Sequence, residues 1–152
     1  MTQEPKPRAL TGGSDKPGID WARAGAPSLD DLELLARDAF VSLPEAFRVL
    51  VGDIPIQVAD FPADDVLDEL GIDSEFGLLG LFQGIGLAHA SAVPETAQMP
   101  NMIWLYRRPI LDYWAEHEET LGGIVTHVLI HEIGHHFGLS DDDMEALERE
   151  VG

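Results

Sequence analysis

His131-Glu132-Ile133-Gly134-His135-His136-Phe137-Gly138-Leu139-Ser140-Asp141 is the stretch on which the reading of this chain turns. Two histidines four residues apart on a helix project from one face, so both can reach a single cation. The glutamate after the first stands beside them, placed to polarise a water held there. Gly138 suits a left-handed helix C-cap, which lets the chain reverse sharply. A reversal there carries the next residues back over the two imidazoles, where a third protein ligand is expected, because a catalytic zinc normally combines three protein donors with an open position. The sequence contains no cysteine, so the donors are nitrogen and oxygen, and no disulfide framework exists.

Working outward, the pattern is helical from Leu111 to Gly138, and Gly122-Gly123 offers a break between an approach helix and the histidine-bearing one. In the latter, Ile124, Val128, Leu129, Ile130 and Ile133 are expected to pack on a sheet. Ser140 and Asp143 read as a capping box for a last helix carrying Met144, Leu147 and Val151. Upstream, Ser28 and Asp31 form the same pattern ahead of the apolar stripe Leu32, Leu35, Ala36, Ala39, Phe40 and Leu43. Ser42 and Glu45 repeat it around Pro44 for a short second helix ending at Gly52. Strands are predicted at Ile54 to Ala59, Leu78 to Phe82 and Asn101 to Arg107, with Pro109 ending the third. Asp64 to Leu70 is a short helix closed by Gly71, and residues 88–100 read as a loop. Residues 1–27, rich in proline and glycine without periodicity, read as a flexible tail ahead of a single domain over residues 28–152.

Nine basic residues against 28 acidic ones leave a formal net charge of −19, a field that repels nucleic acid and anionic membrane surfaces. An uncharged stretch from Phe76 to Pro94 approaches transmembrane length, but four glycines with Gln83, His89 and Ser91 dilute it, so buried strands and turns are the better reading. The N-terminus lacks the apolar core of a signal peptide, which makes the cytoplasm the expected compartment.

His131-Glu132-x-x-His135-x-x-Gly138-x-x-Asp141 resembles the zincin metallopeptidase motif in its metzincin-like spacing, with aspartate in place of the usual third histidine, as in snapalysin-type peptidases. The surrounding sequence is closer still to a family of small bacterial zincin-like metallopeptidases. The capped first helix, a strand, LLGLFQG at Leu78 to Gly84, RRP at Arg107 to Pro109 and HEIGHHFGLSDDDM from His131 follow in that family's order, so that the resemblance covers Ser28 to Arg149. It implies an α+β minimal zincin fold, a small, about three-stranded sheet packed against helices, and one bound Zn2+. Carried over by residue, His131, His135 and Asp141 are the metal ligands and Glu132 is the general base. The implied partner is a peptide or protein substrate, aligned along an exposed sheet edge formed by Leu78 to Phe82 or Asn101 to Arg107.

Simpler roles stand beside these. Asp141, Asp142 and Asp143 begin a helix, where its dipole favours acids without any metal. His136 and His127 serve packing or the pocket lining, and Arg107 and Arg108 either neutralise nearby acids or bind a substrate carboxylate. Tyr106, Tyr113 and His89 are unranked candidates to stabilise an oxyanion. The competing function is a non-catalytic zinc-binding module for protein interaction, in which Glu132 has no chemical use.

Overall fold

The computed structural model describes residues 18–84 and 101–151. The loop expected over residues 88–100, His89 and most of the expected tail lie outside that range. The described order is α1 (Leu29–Val41), α2 (Glu45–Val51), β1 (Ile56–Ala59), α3 (Asp64–Leu70), β2 (Gly80–Gln83), β3 (Met102–Tyr106), α4 (Arg107–Glu116), α5 (Leu121–His136) and α6 (Asp141–Val151).

Local signals account for most helix ends. The Ser28 hydroxyl accepts from the Asp31 N–H while the Asp31 carboxylate accepts from the Ser28 N–H, satisfying two amides that would otherwise lack partners. That exchange also holds the Asp31 carboxyl below its ordinary pKa. Gly52 and Gly71 end α2 and α3 at positive φ, 74° and 68°. Ser42 departs from expectation: its hydroxyl donates to the Ala39 carbonyl at 2.7 Å, so it closes α1, and Pro44 occupies the N-cap of α2 with no side-chain cap. Pro109 does not end a helix-free strand either. It sits in the first turn of α4, where a missing N–H costs no intrahelical bond. The break before the histidine helix falls at residues 117–120 rather than at Gly122-Gly123. Thr120 caps α5 by accepting from the Gly123 N–H at 3.0 Å, which leaves both glycines in the first turn.

The strands form one mixed sheet ordered β1-β3-β2, β1 parallel to β3 (Ile56 opposite Ile103) and β2 antiparallel to it (Phe82 opposite Ile103). This makes β3 the central strand and corrects one of the two edges proposed for substrate: Asn101 to Arg107 has both sides paired, and among the described strands the edge near α5 is β2. Helices α1 and α5 cover the sheet and meet each other, with Ala36, Ala39, Phe82, Ile103, Leu105, Val128, Leu129 and Ile133 in one buried cluster. The result is the α+β architecture with a small three-stranded sheet that the sequence implied.

Gly80 fixes how closely α5 lies on β2. A Cβ there would stand 2.5 Å from Val128 Cγ1 and 3.0 Å from the Trp104 carbonyl oxygen. Gly80→Ala is therefore expected to cost roughly 1–3 kcal/mol through overpacking, with part recovered in the double variant with Val128→Ala. Chemical denaturation of the four proteins checks this, and equal losses with and without the Val128 change would refute the assigned contact.

Candidate metal centre

The centre is built on the hairpin of α5 and α6. Gly138 adopts φ 75°, the left-handed conformation expected of it, and the chain closes with Gly138 N–H donating to the His135 carbonyl at 3.2 Å and Leu139 N–H to the Gly134 carbonyl at 2.9 Å. Ser140 and Asp143 then exchange side-chain bonds as a capping box, at 3.3 and 3.1 Å. The two helices pack closely because Gly134 has no side chain: a Cβ would lie 2.6 Å from the sulfur of Met144, which is fully buried.

Beyond that contact, Glu148 on α6 lies against two successive turns of α5. Three histidines, His127, His131 and His135, form a ladder at this spacing. The His127 and His131 rings stack with centroids 4.0 Å apart, and His131 meets His135 edge to face at 6.0 Å. Of the expected ligands, His135 and Asp141 are brought together across the turn, Nε2 to Oδ1 at 4.0 Å, both largely exposed. His131 does not converge with them to the same degree. Its Nε2 instead lies 3.0 Å from Glu148 Oε1, and His127 Nδ1 lies 2.5 Å from the same oxygen. Among the described residues, His127, His131 and Glu148 are the set whose ligand atoms all lie within 4.8 Å of one another.

Glu132 occupies different ground. Tyr106 N–H donates to the Leu79 carbonyl, and with antiparallel alternation this turns the N–H and carbonyl groups of Gly80 and Phe82 away from β3, toward the side that no described strand occupies. Burial raises the Glu132 carboxyl above its ordinary pKa, opposed by the charge of His135 and by the backbone N–H of Phe82. Tyr106, buried on β3, feels the same carboxylate: its phenol is raised by burial first and by the Glu132 charge second. Of the two described oxyanion candidates it is thus the one electrostatically tied to Glu132, whereas Tyr113 stacks on His117 at 3.8 Å and lines a small cavity with His127.

The remaining candidates make contacts elsewhere on the sheet and helices. His136 packs on the Phe82 ring with centroids 4.1 Å apart. Its pKa is lowered by burial and by His135, against a hydrogen bond to the Gly84 backbone. Arg107 bridges Asp60 at 3.0 Å and the Pro27 carbonyl, the acid-neutralising role weighed for it. Arg108 lies over the Phe61 ring. Glu148 escaped the sequence reading. The signal that finds it is the hairpin register: once Gly134 is set against Met144, His131 and Glu148 fall opposite each other one turn further out.

His131 with one further imidazole and a carboxylate on either side of it is a donor chemistry that suits zinc or a similar borderline divalent cation. The family model described as zincin-like metallopeptidase matches residues 51–151 of the chain. A comparison with curated proteins finds no match.

The raised Glu132 pKa has a measurable consequence. A carboxyl whose folded pKa exceeds its unfolded one favours folding while protonated, and that contribution is lost as pH rises through the folded pKa. Metal-free wild type should therefore fall in melting temperature relative to Glu132→Gln as the pH is raised from about 4 to neutrality. A difference between the two proteins that is independent of pH would show the carboxyl to be fully solvated.

Proposed function

Because the chain belongs to the zincin-like metallopeptidase family, we propose that it is a zinc-dependent peptidase in which His131, His135 and Asp141 hold the metal and Glu132 is the general base. The observation that carries this reading is the position of Glu132, half-buried between the histidine ladder and the outward-facing N–H of Phe82 on the sheet edge. A carboxylate needed only for charge balance has no reason to be desolvated there.

Zinc held by these residues supplies a Lewis acid that makes water nucleophilic near neutral pH and polarises a carbonyl. The chain's own contributions follow from their placement. Glu132, with a pKa shifted toward neutrality by burial, is suited to take a proton from the attacking water and return it to the leaving amine. The β2 edge offers the outward N–H and carbonyl groups of Gly80 and Phe82 to an extended peptide. An arriving strand that takes the Phe82 N–H lies beside the Glu132 carboxylate. Tyr106, held protonated by burial and by the Glu132 charge, keeps a hydroxyl donor close to that carboxylate. The net charge of −19 favours neutral or basic peptides over acidic ones through long-range attraction.

Glu132→Gln should retain stoichiometric zinc and lose peptide cleavage by roughly 100-fold or more, measured by metal analysis and by cleavage of a diverse peptide library. Asp141→Ala should weaken zinc binding. A zinc-loaded wild type that cleaves no peptide in the library would replace the enzyme with a metal-binding interaction module.

A further inference from the structure

We infer that His127, His131 and Glu148 form a second site for a zinc-type divalent cation, which competes with the His131–His135–Asp141 set for the shared His131 imidazole. Three observations carry it. The ligand atoms of the three residues lie within 4.8 Å of one another, with Glu148 Oε1 3.0 Å from His131 Nε2 and 2.5 Å from His127 Nδ1. Zinc bonds of about 2.0–2.1 Å in tetrahedral array place donors roughly 3.3 Å apart, so small side-chain rotations convert the hydrogen-bonded cluster into a coordinating one. His127 and His131 share a helix face at the same four-residue spacing as His131 and His135, so α5 presents two overlapping imidazole pairs. Finally, an open cavity of about 490 Å³, lined by Glu119, Thr126, His127, Glu148 and Val151, adjoins the cluster and leaves room for water or another ligand at the fourth position.

A neutral imidazole has one nitrogen lone pair and one N–H, so His131 ligates one cation at a time. A cation on the Glu148 side takes His131 away from the set flanking Glu132. The site therefore acts as a holding position for metal outside the catalytic arrangement, and the distribution of metal between the two depends on His127 and Glu148, neither of which belongs to the His-Glu-x-x-His motif. This inference rests on the proposed catalytic set only for the sharing of His131.

The test is a titration of the folded full-length protein with cobalt(II) and with zinc, read by absorption and calorimetry. The variant His135→Ala/Asp141→Ala should still take up one equivalent of cobalt(II) in a tetrahedral spectrum. Adding His127→Ala, a change at an exposed side chain, or Glu148→Gln should then weaken binding by roughly tenfold or more. If the double variant stays folded by circular dichroism yet binds no metal, or if its affinity is indifferent to His127 and Glu148, the second site is overturned while the catalytic set stands. Peptide cleavage that survives removal of Asp141 and His135 would instead overturn the catalytic set and leave metal at His127, His131 and Glu148 intact.

Discussion

The close approach of Gly134 and Met144 is the contact on which the metal-binding end of the molecule depends. With a hydrogen in place of a side chain at 134, the sulfur of Met144 fills the space that a Cβ would claim, and α6 lies against α5 at a fixed register. The turn at Gly138 gives the direction of the return and Met144 gives its depth. Asp141 then comes beside His135, and Glu148 beside His131 and His127. Neither carboxylate would meet a histidine if the hairpin slipped by one residue, because a slip rotates α6 by about 100°.

Helix α5 has two duties that its sequence keeps on different faces. Ile124, Val125, Val128, Leu129, Ile130 and Ile133 are buried against the sheet and α1, while His127 and His135 are exposed and His131 and Glu132 are partly covered. Glu132 lies at the border of these faces, which is why it is desolvated without being enclosed. Among the described strands β2 lies at the sheet edge, so the Phe82 N–H beside Glu132 faces away from β3.

Much of this was legible in the sequence because it is encoded locally. The reciprocal Ser–Asp caps at Ser28 and Ser140, the left-handed glycines at 52, 71 and 138, and the apolar stripe of α5 depend on residues within a few positions of one another, and each is where the sequence put it. The errors share a different cause. Strand order depends on contacts between distant segments, so nothing local told the central β3 from an edge. The Ser42–Glu45 spacing matched a capping box, but the Ser42 hydroxyl found the nearer Ala39 carbonyl. Glu148 sits in a helix with many acids, and only the depth of the α5–α6 hairpin separates it from Glu145 or Glu150, which remain exposed.

The parallel pairing of Ile56 with Ile103 bears on when the site comes into being during folding. Closing a loop of roughly 50 residues costs about 3 kcal/mol of chain entropy, whereas β2 meets β3 over a much shorter separation, with Phe82 opposite Ile103. The α5 helix can nucleate from its own cap and apolar stripe well before that. The His-Glu-x-x-His motif is thus local as a sequence and as a helix, but Glu132 comes beside β2 only when α5 packs on the sheet, a contact between distant segments. Any fluctuation that opens the β2–β3 pair returns the carboxylate to water while leaving the histidines of α5 in place.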